Sequence, residues 1–217
     1  ITACLVGSEM CIRDSLFWYS RLMKLFKTLL TILFISLLSS PSWSESEVHI
    51  VELKLLNNLD DIRGFCIDIK GHKLKAKISR GIQAHSCYSY QGKIAVDQGL
   101  DANKLKQKQL FFPYFDVCVR PASSNNPLNL SLIKCGNTQE FVFTQDNTIR
   151  LKSNKNLCLT VAKGNSRNGG GGSPLHLIRN LSMQICNEQK SIYKTWGIRG
   201  FKKGLLFTEE ISKFSSN

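Results

Sequence analysis

Six of the eight cysteines in this chain fall into three pairs with the same surroundings each time. Cys66, Cys118 and Cys158 each open a short phrase: Cys66-Ile67-Asp68-Ile69, Cys118-Val119-Arg120-Pro121 and Cys158-Leu159-Thr160-Val161. Cys87, Cys135 and Cys186 each close a strand-like run, and the first two are followed four residues later by Gln91 and Gln139. A repeat with a period of about 50 residues marks one supersecondary unit used several times, each copy unable to bury its apolar face alone. One closed object built of three units is therefore expected, not three separate domains.

Six cysteines allow about 15 connectivities, and spacing alone does not choose among them. Equivalent units should make equivalent bridges, which selects Cys66–Cys87, Cys118–Cys135 and Cys158–Cys186, with partners 21, 17 and 28 residues apart. The alternative is a set of buried thiols or a zinc site. No Cys-x-x-Cys pair favours metal, so neither a metal nor another cofactor is expected.

The first 44 residues are set apart from the fold. From Met23 the sequence runs through Lys24 and Lys27 into an apolar stretch, Thr28 to Leu38, and on to Pro41-Ser42-Trp43-Ser44. A basic start, a hydrophobic middle and small residues at the cleavage positions predict a signal peptide over 23–44, cut after Ser44. The apolar stretch is short for a bilayer span, so no integral membrane anchor is expected. Residues 1–22 are read as an artefact, because Glu9-Met10-Cys11-Ile12-Arg13-Asp14 resembles the translation of a transposase sequencing adapter. The remaining divisions are a folded domain over 45–200 and a tail over 201–217. A secreted or periplasmic location follows, and it suits disulfides.

Lysine and arginine number 29 against 16 aspartates and glutamates, a net charge of +13. Removing residues 1–44 changes the balance little, since it takes only Arg13, Arg21, Lys24 and Lys27 from one side and Glu9 and Asp14 from the other. Such a chain is drawn to anionic surfaces, and secretion sets nucleic acid aside in favour of lipopolysaccharide or acidic glycans. A solvated basic face that maintains solubility is the simpler reading.

Short strands and turns dominate the pattern. Alternation predicts strands at Val48–Leu53, Lys73–Ile78, Ile94–Val96, Leu128–Ile133, Phe141–Phe143, Leu175–Ile178 and Leu181–Ile185. Turn clusters separate them, notably Ser123 to Pro127 and Gly164 to Pro174, and the glycine run Gly169–Gly172 is read as a hairpin tip. No helical period persists, so the fold class is all-β.

Between about residues 48 and 200 these phrases resemble the ricin-type β-trefoil lectins. In that family each third carries a Cys-apolar-Asp-apolar phrase, a turn, a strand ending in the second cysteine, and a Gln-x-Trp element. Here the last element reads Gln91-Gly92-Lys93-Ile94, Gln139-Glu140-Phe141 and Lys194-Thr195-Trp196 in successive units. The resemblance implies a β-trefoil with pseudo-threefold symmetry and three intra-repeat disulfides. It also implies a sugar site made of an aspartate after the first cysteine, a glutamine and a ring before the second, and polar residues after it. Only the first unit offers that set: Asp68, Gln83, His85, Tyr90 and Gln91. A carboxylate accepts from vicinal hydroxyls, amides donate and accept, and a ring covers the apolar sugar face. Each has a plainer use: Asp68 can cap a turn, Gln91 can bond its own backbone, and His85 can be a half-buried surface histidine.

The resulting expectation is a secreted carbohydrate-binding protein without catalysis, taking galactose-like or acidic glycans. A second reading makes it the glycan-binding subunit of a toxin or adhesin complex, with Lys70, Lys73, Lys75, Lys77 and Arg80 beside the site steering it to acidic glycans. A third, a hydrolase or protease inhibitor, ranks below these. His49, His72, His85 and His176 fall in no triad or metal-ligand spacing, and an inhibitory loop over 164–174 would be glycine-rich.

Overall fold

The computed structural model describes residues 23–24, 26–27, 49–122, 128–136 and 140–215. The chain divides into two units, Ile1–Ser46 and Glu47–Asn217. Of the first, only Met23, Lys24, Phe26 and Lys27 are described, and they are helical and exposed. The expected artefact over 1–22, the cleavage site at Ser44, the turn Ser123–Pro127 and Gln139 all lie outside the described residues. No described helix is long and apolar enough to cross a membrane.

The second unit is all-β apart from short 3-10 turns and one helix, α1 (Ala102–Lys106). Its strands follow one another in groups of four. The first group is β1 (Ile50–Leu55), β2 (Phe65–Ile69), β3 (Ile82–Ser86) and β4 (Leu100–Asp101). The second is β5 (Phe111–Phe112), β6 (Val117–Pro121), β7 (Leu130–Ile133) and β8 (Phe141–Phe143). In the third, β9 (Ile149–Leu151) and β10 (Leu157–Val161) are followed by an inserted hairpin, β11 (Arg167–Asn168) and β12 (Leu177–Arg179). Then come β13 (Leu181–Ile185) and β14 (Trp196–Lys202), and β15 (Leu205–Glu210) is appended.

In each group the two middle strands pair antiparallel in one register. The first cysteine faces the residue two positions before the second: Cys66 opposite His85, Cys118 opposite Ile133, Cys158 opposite Gln184. The position two beyond the first cysteine therefore always faces a polar partner, Asp68 opposite Gln83, Arg120 opposite Ser131, Thr160 opposite Ser182. Because side chains alternate with period two, this register settles which of them share a face.

Two expected bridges are present, Cys66–Cys87 and Cys118–Cys135, each with its Cα atoms 5.0 Å apart. The third pair differs. Cys158 and Cys186 are buried free thiols. They still interact, and burial with the neighbouring Cys158 pushes the Cys186 thiol up to about 12.

One hydrophobic core joins the groups and includes Leu100, Phe141 and Trp196, each 1% exposed or less. Trp196 donates its indole N–H to Leu159 O at 3.0 Å, which satisfies its only polar atom. In the first group the core position is Leu100 of Gln98-Gly99-Leu100, where Gln91 to Ile94 was expected. Gln91 is exposed, and residues 91–96 form turns without strand.

The expected strand over 73–78 is also absent. That segment forms two 3-10 turns, Lys73–Lys75 and Ile78–Arg80, with no buried residue in either. Alternation of lysine with apolar residues specifies a strand only if one face has a core to meet, and here neither does. Gly71 allows the fold-back, since a Cβ there would sit 2.4 Å from the Ala76 Cα.

The chain beyond residue 200, expected as a tail, is built into a sheet. β14 pairs β1 on one side and β15 on the other, from Gly197 opposite Glu210 to Lys202 opposite Leu205. Ile211 is fully buried in the core.

Removing the first bridge with Cys66→Ala/Cys87→Ala frees a 21-residue loop in the unfolded chain. Urea unfolding should show a loss of about 3 kcal/mol relative to the parent.

Candidate functional site

The polar side chains of the first group converge around Asp68, which is 1% exposed. β2 carries it inward two residues after Cys66, and β3 brings Gln83 directly opposite. Gln83 Nε2 donates to Asp68 Oδ1 at 2.8 Å, and Gln98 Nε2 donates to Oδ2 at 3.2 Å. Gln98 is a junction: its amide also donates to Ser86 O at 3.0 Å, while its oxygen accepts from Tyr88 N at 2.9 Å. Burial raises the Asp68 carboxyl well above the usual carboxylate range, and the neighbouring Asp97 adds to this. The two glutamine amides work against the rise.

Asp97 lies behind the 70–81 loop. Its Oδ2 accepts from the Lys73 backbone N–H, and its backbone oxygen accepts from Ile69 N at 2.9 Å. Its other oxygen, Oδ1, is buried without a hydrogen-bond partner. A buried acceptor left open is costly unless something outside the chain supplies the donor.

Rings border this floor. His85, 4% exposed, donates Nδ1–H to Ser86 O at 2.9 Å, which leaves its Nε2 as an acceptor. Burial lowers its pKa to about 4, so it is neutral near pH 7. Its ring lies 5.2 Å from that of Tyr88 and 5.1 Å from that of His176. Tyr90 is half-exposed and hydrogen-bonded to His176 Nε2 at 3.0 Å, and Gln91 Nε2 donates to the Tyr90 hydroxyl at 2.9 Å. The His176 Nδ1 is buried with no partner.

His176 comes from the inserted hairpin of the third group. β12 adds to the edge of β3, Ile178 opposite His85 and Arg179 opposite Ala84. The buried Arg63, paired with Asp61 at 2.8 Å, donates to Pro174 O at 3.0 Å and Leu175 O at 2.8 Å and so fixes the tip. Gly172, at φ +84°, leaves room for the imidazole, since a Cβ there would meet its Cδ2 at 2.6 Å.

The expected residues Asp68, Gln83 and His85 are thus together but buried, and Tyr90 and Gln91 stand at the accessible rim. Sequence reasoning missed Asp97, Gln98, Tyr88 and His176. Gln98-Gly99-Leu100 carried a usable signal, a Gln-x-apolar triplet before a core strand. His176 had none, because its partners are 86 or more positions away.

In the other groups the equivalent positions are occupied differently. Arg120 pairs with Glu140, its Nε donating at 3.0 Å, and Thr160 donates to Cys158 O at 2.9 Å. Among the described residues one set of ligand-type atoms, Glu52 with Cys66 and Cys87, lies within 4.8 Å. Both sulfurs are in the disulfide and Glu52 is paired with Arg199 at 3.0 Å, so this set offers nothing to a metal. Two recesses lie away from this cluster, about 420 Å³ beside Ile94 and Tyr114 and about 380 Å³ beside Leu105 and Phe207.

The burial of His85 and Asp68 predicts opposed pH effects. His85 adds stability that is full above 6.5 and is lost as pH falls toward about 4, because the unfolded chain takes up the proton first. Asp68, with its pKa raised, adds stability that is full below 3.8 and is lost as pH rises through its folded value. His85→Gln should therefore flatten the acid side of the stability profile between 6.5 and about 4, read as urea midpoints against the parent.

No protein-family model matches this chain, and no curated protein matches it. Among solved structures it is similar to the β-trefoil lectin of the Vibrio vulnificus hemolysin/cytolysin, crystallised with N-acetyl-D-lactosamine bound. That similarity has a TM-score of 0.42 and 18% identity, covering 70% of this chain and 95% of the other. A likeness at that level assigns neither fold nor ligand.

Proposed function

We propose that this protein is a secreted or periplasmic carbohydrate-binding protein without catalysis, a ricin-type β-trefoil with one sugar site in its first repeat. The trefoil reading is supported by the three cysteine-framed hairpins in one register and by the groups of four strands around a shared core. The observation that carries the sugar reading is the open acceptor of Asp97 beside the amide-held carboxyl of Asp68, bordered by Tyr88, Tyr90 and His176. Carboxyl and amide groups exchange hydrogen bonds with hydroxyls, and rings cover the C–H face of a sugar.

Burial divides the roles. Asp68, Gln83, Gln98 and His85 form the supporting floor, while Tyr90 and Gln91 meet the ligand first. Asp97 Oδ1, the oxygen that Lys73 does not use, is the acceptor left for a hydroxyl. Few groups are exposed at the rim, so binding is shallow and weak. Galactose-like and acidic glycans are the candidate classes, the latter favoured by the adjacent lysines. The same basic face suits a delivery role beside a toxin or adhesin subunit, and co-purification from the native secretome tests that reading.

Because Asp68 is buried, Asp68→Ala would mix lost binding with lost stability. Tyr90→Ala and Gln91→Ala alter only the rim. On a glycan array they should reduce the parent's signal about tenfold with melting temperature unchanged. Unchanged array signals for both would remove the site.

We also propose that export closes the third bridge, Cys158–Cys186. The two buried thiols are neighbours in the third hairpin, and an oxidising compartment supplies the acceptor for their two electrons and two protons. Non-reducing peptide mapping of exported protein should find those cysteines joined, while protein made in a reducing cytosol should retain them as thiols.

A further inference from the structure

The loop over residues 70–81 presents two apolar side chains to water. Leu74 is 64% exposed and Ile78 36%. Neither sits on a floppy segment. Lys75 N bonds His72 O at 2.8 Å, Lys77 N bonds Lys70 O at 3.1 Å, Arg80 N bonds Lys77 O at 3.0 Å, and Lys70 N bonds Gly81 O at 3.0 Å. The Lys73 backbone N–H is tied to Asp97 behind it. The fold holds Leu74 outward with no buried neighbour on its own turn, since neither 3-10 turn contains a buried residue.

Basic side chains alternate with the apolar ones: Lys73, Lys75, Lys77 and Arg80, with no acidic residue between Lys70 and Gly81. Lys75, Lys77 and Arg80 are exposed. A simple polyanion would reward the cations and leave the apolar side chains in water. A bilayer surface with anionic headgroups rewards both, since phosphates attract the lysines while leucine and isoleucine enter the acyl boundary.

We infer that residues 72–80 form a docking loop for anionic lipid membranes, with Leu74 and Ile78 entering the interface and Lys75, Lys77 and Arg80 pairing with headgroups. This attachment is independent of the sugar reading and would hold the rim at Tyr90 near a cell surface.

The full chain carrying Leu74→Trp is the probe, mixed with phosphatidylcholine vesicles with and without phosphatidylglycerol. The expected result is a blue shift, with quenching by brominated acyl chains, on the phosphatidylglycerol vesicles alone. Sedimentation should show partition falling about tenfold for Leu74→Ser/Ile78→Ser and about fivefold each for Lys75→Gln and Lys77→Gln. Tyr90→Ala should leave vesicle partition unchanged, so failure of the sugar reading would not imitate failure of this one. The proposal is overturned if Leu74→Ser/Ile78→Ser partitions like the parent, if the tryptophan emission does not shift, or if only a sulfated polysaccharide binds and vesicles do not.

Discussion

The register that sets each first cysteine opposite the residue two before the second is the constraint on which the rest of the structure depends. It aligns the sulfurs for bridging at the hairpin end and turns the position two beyond the first cysteine toward a polar cross-strand neighbour. A slip by one residue would reverse every side chain on the strand, moving core residues to solvent and separating Asp68 from Gln83. In the first two groups a covalent bond closes the hairpin. In the third the strands keep the same register with free thiols, so backbone pairing and packing suffice to set it.

From a common register, the groups diverge through one side chain. Arginine at that position finds Glu140, and threonine turns back on its own strand. Aspartate instead recruits two glutamines, one across the hairpin and one from the approach to β4. A carboxyl so deeply placed needs that support, because an unpaired charge in the interior is far more costly than an unpaired amide. Every hydrogen-bonding group of the Gln98 amide is used, which makes it the fixed centre of the cluster.

The all-β class, the hairpins at the cysteines and the glycine-rich hairpin were readable in the sequence because each rests on local signals. Cysteine spacing, period-two alternation and turn residues are all short in range. Lys73–Ile78 misled for the same reason: its alternation satisfied the local rule, but no neighbouring element supplied a core for either face. The strand after residue 200 was missed because its exposed outer face gives little contrast to read. At the site, Asp68 and Gln83 were readable as a strand-paired phrase, while their burial was not, since it depends on the loop that folds over Asp97. His176 was beyond reach of any local pattern, arriving through an added strand and the grip of Arg63 on the Pro174 and Leu175 carbonyls.

That added strand bears on how the molecule is made. Leu177 N bonds the hydroxyl of Ser86, 91 positions earlier, so the border of the first-group cluster is supplied by a segment synthesised long after it. Without the inserted hairpin, Asp68 and its glutamines would lack the His176 flank. The ring border of the cluster is therefore complete only when the third-group hairpin has docked on the edge of β3.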